Sequence, residues 1–404
     1  MNVDEVVRDS LRELAEEQTP AGPGLAGRVL ALRRRRRTRR IVASAAATAA
    51  VVVVAVAAPM RDSGGPPEVR PADVVQPHRI AAHPDQSPPR DLIAAGRTAL
   101  AAYYETTVVP RSADRATAKR TYWLLNPTTQ KYVKTTKWSW VAVAPGLRTA
   151  AVLEQNLPVR RIGLLDLASG EVERWIRVDH AVGGLAFSRD GRELVATTYT
   201  SDPDLWVKTA GSERWHPGME TSRTGFQVFD VASGRGSWSE VEFHQGEKLG
   251  EINFLYSRQD FAFSRDGRHI WSSMPMQPGH QYYDRQGKKV APPVGQRYVQ
   301  WYVDAGLSPN GKLLADEFAG EKYKSSSWIV DPSTGKKITE VHGQQLLAWA
   351  DDSSLVVWDT GNDDESHQRL ALVTIGSEKV VPLSGVRAGE EDDPGRWEPI
   401  FADR

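Results

Sequence analysis

The stretch Ala186–Arg192, AFSRDGR, occurs again without change at Ala262–Arg268, 76 positions downstream. Looser copies stand at Ser308-Pro309-Asn310-Gly311 and Ala350-Asp351-Asp352-Ser353, and Ala144-Pro145-Gly146 holds the same place one unit earlier. Asp or Asn accepts backbone amide hydrogen bonds inside a turn, and Gly supplies the positive φ that a bulged hairpin turn requires. Ser-x-Asp-Gly is therefore an instruction to reverse direction, and on these grounds the residue at x is free to vary. Short apolar strands flank the copies, such as FAFS and HIWSSM around the second heptapeptide. The pattern reads as one hairpin made five times.

A second hairpin follows each of the first four copies: LLDLASGEV at Leu164–Val172, VFDVASGRG at Val228–Gly236, YYDRQGKKV at Tyr282–Val290 and IVDPSTGKKI at Ile329–Ile338. Each is a strand, an Asp-initiated turn with Gly, and another strand. Units beginning near Trp138, Ala181, Gln259, Tyr302 and Gln345 are mostly about 42 to 44 residues long, the period of a four-stranded propeller blade. Two fragments remain. Leu100–Tyr104, Thr121–Leu125 and Tyr132–Thr135 give three strands at the start, and Trp397–Phe401 gives one at the end. Pairing that last strand with the first three makes a sixth unit and removes the sheet edges that would template aggregation. No long amphipathic segment after residue 105 offers the helical crossovers of a βαβ fold. The expected fold is all-β, a six-bladed β-propeller.

These residues resemble the WD40-like, TolB-type β-propeller repeat family, whose signature is a strand, Ser-Pro-Asp-Gly-Lys/Arg and an apolar strand. Ser308-Pro309-Asn310-Gly311-Lys312 follows it with Asn for Asp, whereas the copies at Ser188 and Ser264 carry Arg in place of Pro. The Gly-His and Trp-Asp landmarks of eukaryotic WD repeats are not systematic, since Trp358-Asp359 stands alone, so the bacterial branch is the nearer one. The resemblance covers roughly residues 90–404 and implies a scaffold for proteins, peptides or small ligands, with no single activity.

Ahead of this domain the chain is organised differently. Formal net charge is zero over 404 residues, but residues 1–40 carry ten Lys/Arg against six Asp/Glu. Seven arginines between Arg33 and Arg40 precede Ile41–Ala58, eighteen uncharged residues of which nine are Ala and six Val. At ~1.5 Å rise per residue that is roughly 27 Å, near the ~30 Å hydrocarbon core. A single transmembrane helix at 41–58 is expected, with residues 1–40 cytoplasmic by the positive-inside rule and the remainder outside. A cleavable signal ending at Ala55-Val56-Ala57, or a twin-arginine signal around Arg39-Arg40, would export the same domain. Residues 1–40 include a short amphipathic stripe of Val3, Val7, Leu11 and Leu14. Residues 59–90, with eight prolines, read as an extended spacer before the domain at 91–404.

Candidate chemistry is sparse. The absence of cysteine removes disulfides, thiolate zinc sites and thiol nucleophiles. The GxGxxG at Gly22–Gly27 lacks a surrounding βαβ unit and reads as a hinge. Gly306–Gly311 has the wrong spacing for a nucleophile elbow, so Ser308 reads as a turn residue. The acidic stretch Asp359–His367 lacks the Gly and Glu of a calcium loop. No residue is assigned to catalysis, to a cofactor or to a metal, and mixed charge beyond the arginine run argues against nucleic acid. The one unit of different length carries an insertion, Thr200–Arg223, and its Trp206, Trp215 and His216 are the candidate ligand loop. The expectation is a monomeric propeller that binds an envelope protein or a glycan or peptide ligand. The alternatives are a metal-dependent lactonase or glycan-processing hydrolase with its site in the funnel, and a transmembrane signalling protein.

Overall fold

A computed structural model describes residues 80–404 apart from 209–213, 219–220, 242–256, 275–277, 362–366 and 388–395. The cytoplasmic tail, the 41–58 helix and most of the spacer expected from the sequence lie outside the described residues. Within the described residues there is no α-helix, and so none long and apolar enough to cross a membrane.

The strands form consecutive antiparallel meanders. In the first, Thr98–Pro110 pairs with Arg115–Asn126, which pairs with Lys131–Thr135. Trp138–Val143, Thr149–Glu154, Val159–Asp166 and the first half of Val172–Phe187 make the second. The long strand then crosses into the third meander, where Val182–Phe187 pairs with Glu193–Tyr199, followed by Arg223–Asp230 and Gly236–Glu240. The fourth runs through Phe261–Phe263, Ile270–Ser273, His280–Tyr283 and Lys289–Val290. In the fifth, Leu314–Phe318, Ser326–Val330 and Lys337–His342 are joined by an inner segment reduced to one bridge, Leu307 to Leu314. Gln345–Trp349, Ser354–Asp359, Arg369–Thr374 and Val380–Pro382 complete the series.

The closing pairing expected from the sequence is present. Glu398–Asp403 lies antiparallel to Thr98–Pro110, with Thr98 opposite Asp403 and Tyr104 opposite Glu398. The apolar clusters follow the same circular order. Tyr122 and Leu124 pack on Val141 and Val152 of the second meander, Ile162 and Leu164 on Leu185 and Leu194 of the third, and Phe226 on Phe261 of the fourth. Leu100 and Tyr103 of the first pack on Trp358 and Leu370 of the last. A linear stack would leave those end faces bare, so this cluster and the closing strand together define a β-propeller. Phe226 and Phe261 meet edge to face at 5.0 Å, an arrangement worth about 0.5–1.5 kcal/mol beyond the area it buries.

Each meander places its first hairpin turn at one end and its second-to-third connection at the other, so these two kinds of connection lie on opposite faces. The Ser-x-Asp-Gly turns gather on one face. On the other stand residues 105–120 of the first meander, which continue as a two-stranded arm, and the insertion 200–222. The insertion was expected as a loop. It is instead a hairpin, Leu205–Lys208 with Trp215–Pro217, whose first strand pairs with the arm through Leu205–Thr117, Trp206–Ala116 and Val207–Arg115.

Candidate functional site

The repeated turns are built alike. Ser188 Oγ donates to Asp190 Oδ1 at 2.7 Å and accepts from the Glu193 amide at 2.9 Å, while Asp190 accepts from the Arg192 amide. The same bonds recur at Ser264 and Asp266, and at Ser308 with Asn310. Gly191, Gly267 and Gly311 have φ of 70°, 67° and 74°, the left-handed region that a side chain disfavours. Ser308 is fully buried in this bonding, as a turn residue should be.

The variable position x has a role that turn chemistry does not reveal. Pro145, Arg189, Arg265, Pro309 and, on the closing strand, Asp403 all line one central cavity of about 610 Å³. Its walls are the inner strands, including Val141–Val143, Leu185–Phe187, Leu347–Trp349 and Pro399–Ala402. Trp140 and Trp349 form part of this wall and tie neighbouring meanders together, their indole N–H groups donating to Leu185 O and Gly306 O, each at 3.0 Å.

The two ends of the channel differ in charge. At the turn face, Arg97 and Arg189 approach a single carboxylate, Asp403, at 3.4 and 3.9 Å. Arg265 is pinned by donation to the Leu307 and Pro309 carbonyls of the next meander. Its guanidinium is pushed down to about 10, first by burial and then by the neighbouring Arg189 and Arg97. The opposite end carries Asp304, beside Tyr104, Tyr122 and Trp140. Asp304 is wetted by the channel yet walled by protein, and this desolvation, with repulsion from Glu398, raises its carboxyl to about 6. Gln345 Nε2 donates to it at 3.3 Å.

Beneath the insertion lies a buried charge network. Arg120 donates to Asp204 through both terminal nitrogens, at 2.7 and 2.9 Å, and Arg258 Nε donates to the same carboxylate at 2.8 Å. Arg258 also donates to Asp260 at 2.7 Å and to Gly183 O at 2.8 Å, and Asp260 accepts from the Tyr199 hydroxyl at 2.9 Å. Burial opposes the charge on Asp204, but Arg258 and Arg120 overcome it and hold the carboxyl far below its usual range. Both guanidiniums lie against the Trp140 ring, at 5.0 and 4.1 Å from its centroid. Asp204 thus ties the insertion of the third meander to the arm of the first and to the entry of the fourth.

The residues named from sequence in the insertion sit next to this network without joining it. Trp206 and His216 are half-buried strand residues opposite Pro217 and Val207, and Trp215 faces Lys208 across the hairpin with the ammonium 5.0 Å from its ring. The register puts Trp206 and Trp215 on one face of the hairpin and His216 on the other. Asp204, two residues before Trp206, is the side chain that does the joining, and its Arg120 and Arg258 partners lie 84 and 54 residues away. No spacing rule connects them. In the acidic stretch, Asp359 is buried and accepts from Arg369 Nε and the Gly361 amide, both at 3.1 Å; residues 362–366 lie outside the described residues. Among the described residues no group of three His, Cys, Asp or Glu is placed to hold a metal ion.

No family model matches this sequence, and no curated protein matches it. Among solved structures, the β-propeller domain of Cps50 (Swd1) from Myceliophteria thermophila is similar, with a TM-score of 0.38 and 11% identity. That match covers 74% of this chain and 96% of that one. Strand pairing and the circular packing of the clusters carry the β-propeller fold.

Proposed function

We propose that this chain is a bacterial, membrane-anchored binding protein whose exported domain is a six-bladed, TolB-like β-propeller. Residues 41–58 would be the anchor, 1–40 the cytoplasmic tail and 59–79 the spacer, since residues 80–90 are bonded into the domain through Ala81 to Ala94 and His83 to Ser384. In this reading Leu307 and its neighbours supply the inner strand of the fifth blade, and the long strand Val172–Phe187 serves two blades. The observation that carries the binding reading is the 610 Å³ channel, whose size lies within the ~300–1,000 Å³ of small-ligand sites and whose ends bear opposite charge. The ring of variable turn residues around its mouth supports it further, because variation there changes the channel without changing the fold.

A hydrolase with a funnel metal has less behind it. The carboxylates lining the channel, Asp304 and Asp403, stand at its opposite ends, on inner segments separated by that of the sixth meander, and among the described residues no group of three His, Cys, Asp or Glu is gathered around either. Nothing favours the signalling reading over simple anchoring.

Two measurements test the proposal on the full-length protein in native membranes. Epitopes at the two termini should show opposite protease access, and equal access would refute the anchor. A photo-cross-linking residue at Ala348, in the channel wall, should give a discrete adduct that the same residue at Val294, 97% exposed, does not. Identical patterns from the two positions would refute the channel as the binding site.

A further inference from the structure

The turn-face end of the channel holds three guanidiniums, Arg97, Arg189 and Arg265, against one lining carboxylate, Asp403. Three positive charges and one negative leave an excess of two, or of one when Asp352, which also acts on Arg265, is counted. The charges are not consumed by internal pairing. Arg265 is fixed by neutral carbonyls, which orient its guanidinium without neutralising it. Arg97 and Arg189 share Asp403 at separations longer than a good ionic hydrogen bond, and both side chains remain about 40% exposed (43% and 40%). The buried Arg97 Nε has no hydrogen-bond partner among the described residues. Like charges held this close repel one another, and an anion seated among them removes that repulsion.

Directly inside the arginines the wall becomes apolar, with Val143, Phe187, Leu307 and Phe401. A bare inorganic anion would leave that belt in contact with water, whereas a ligand with an apolar body would cover it. Resting on the reading of the channel as the binding site, we propose that this end recognises a small amphiphilic carboxylate. Its planar head group is held by Arg97, Arg189 and Arg265, and its apolar body lies along Val143, Phe187, Leu307 and Phe401. Guanidinium suits a carboxylate because its planar fork matches the two oxygens. The two heptapeptides that share AFSRDGR thereby place two of the three arginines, each at the position that turn chemistry leaves free.

The test is isothermal titration of the full-length protein in detergent with three probes: 4-phenylbutanoate, its uncharged amide and inorganic phosphate. The acid should bind at least about tenfold more tightly than either the amide or phosphate at low salt, and lose affinity as salt is raised. Arg97→Gln and Arg189→Gln should each weaken the acid by about five- to tenfold and leave the amide unchanged. Arg189→Lys, which keeps the charge without the fork, should fall between, and it serves if the Gln variant misfolds. Equal binding of acid and amide, phosphate binding as tightly as the acid, or Gln variants with unaltered acid affinity would overturn the proposal. Cross-linking from position 348 with no difference between acid and amide would overturn this inference while leaving the channel reading in place.

Discussion

Replacing Asp204 by Asn tests whether the insertion is clamped by charge or only laid against the propeller. The Asp204 side chain is 5% exposed and takes three hydrogen bonds from two arginines, themselves 10% and 17% exposed. Removing one partner of a buried ion pair costs about 3–5 kcal/mol, since the other charge stays buried. Arg258 keeps Asp260 at 2.7 Å, so the loss falls mainly on Arg120, and we expect the lower figure, about 3 kcal/mol. At ~2.1 cal/mol/K per residue, a domain spanning residues 80–404 has an unfolding entropy of ~0.7 kcal/mol/K, so the melting temperature should fall by ~4–5 °C. Calorimetry and urea denaturation of Asp204→Asn would read it. The double variant Arg120→Met/Asp204→Asn should recover part of the loss, because it removes the orphaned charge. The pH dependence has a definite sign. A carboxyl held below its unfolded value stabilises the fold above the normal carboxylate range and loses that contribution as pH falls through its folded value. The deficit should therefore be constant from about pH 5 to 8 and shrink only in strong acid. A loss under about 1 kcal/mol at pH 7, or one that disappears by pH 5, would refute the clamp.

Asp304 should behave oppositely: with its carboxyl raised to about 6, its ionisation costs stability as pH rises from the unfolded value near 4 through 6. Asp304→Asn should thus be more stable than the parent at pH 8 by up to about 1 kcal/mol, a figure reduced for water in the channel, and the gain should vanish at pH 4; a pH-independent difference between the two denaturation curves would exclude this. Gly184 lies where an added Cβ would come within 2.0 Å of Asp260 Oδ1, so Gly184→Ala should displace Asp260 from Arg258 and Tyr199 and cost about 1–3 kcal/mol in urea denaturation. A neutral result there would mean that Asp260 moves freely. Deleting 398–404 strips the partner strand from Thr98–Pro110 and leaves an open edge, and should yield concentration-dependent aggregates on size exclusion; a monodisperse, cooperatively melting truncation would show that the closing strand is dispensable.

The architecture was legible because it is written in local chemistry. Ser188, Asp190 and Gly191 complete their turn with bonds that span five residues or fewer, and the same grammar recurs at Ser264 and Ser308. The closing strand could be anticipated because four leftover strands at the two ends of the chain need each other. The candidate site was legible only in part. Thr200–Arg223 stands out by length and its large aromatics by type, whereas the significance of Asp204 depends on two arginines 84 and 54 residues away. Arg189 and Arg265 were visible as the residues that break the Ser-Pro-Asp-Gly pattern, yet nothing local distinguishes a tolerated substitution from a channel-lining one.

The sequence by itself determined the repeat, its turns and the ring closure, because hydrogen bonds within a few residues and alternation within a strand need no distant partner. Tertiary structure decided what the variable positions do. Closing the ring brings Arg97, Arg189, Arg265 and Asp403, spread over more than three hundred residues, to one end of one channel, and Asp304 with Glu398 to the other. Charge acts through space over several ångströms, so the chemistry of such a site exists only after the chain has curved back on itself.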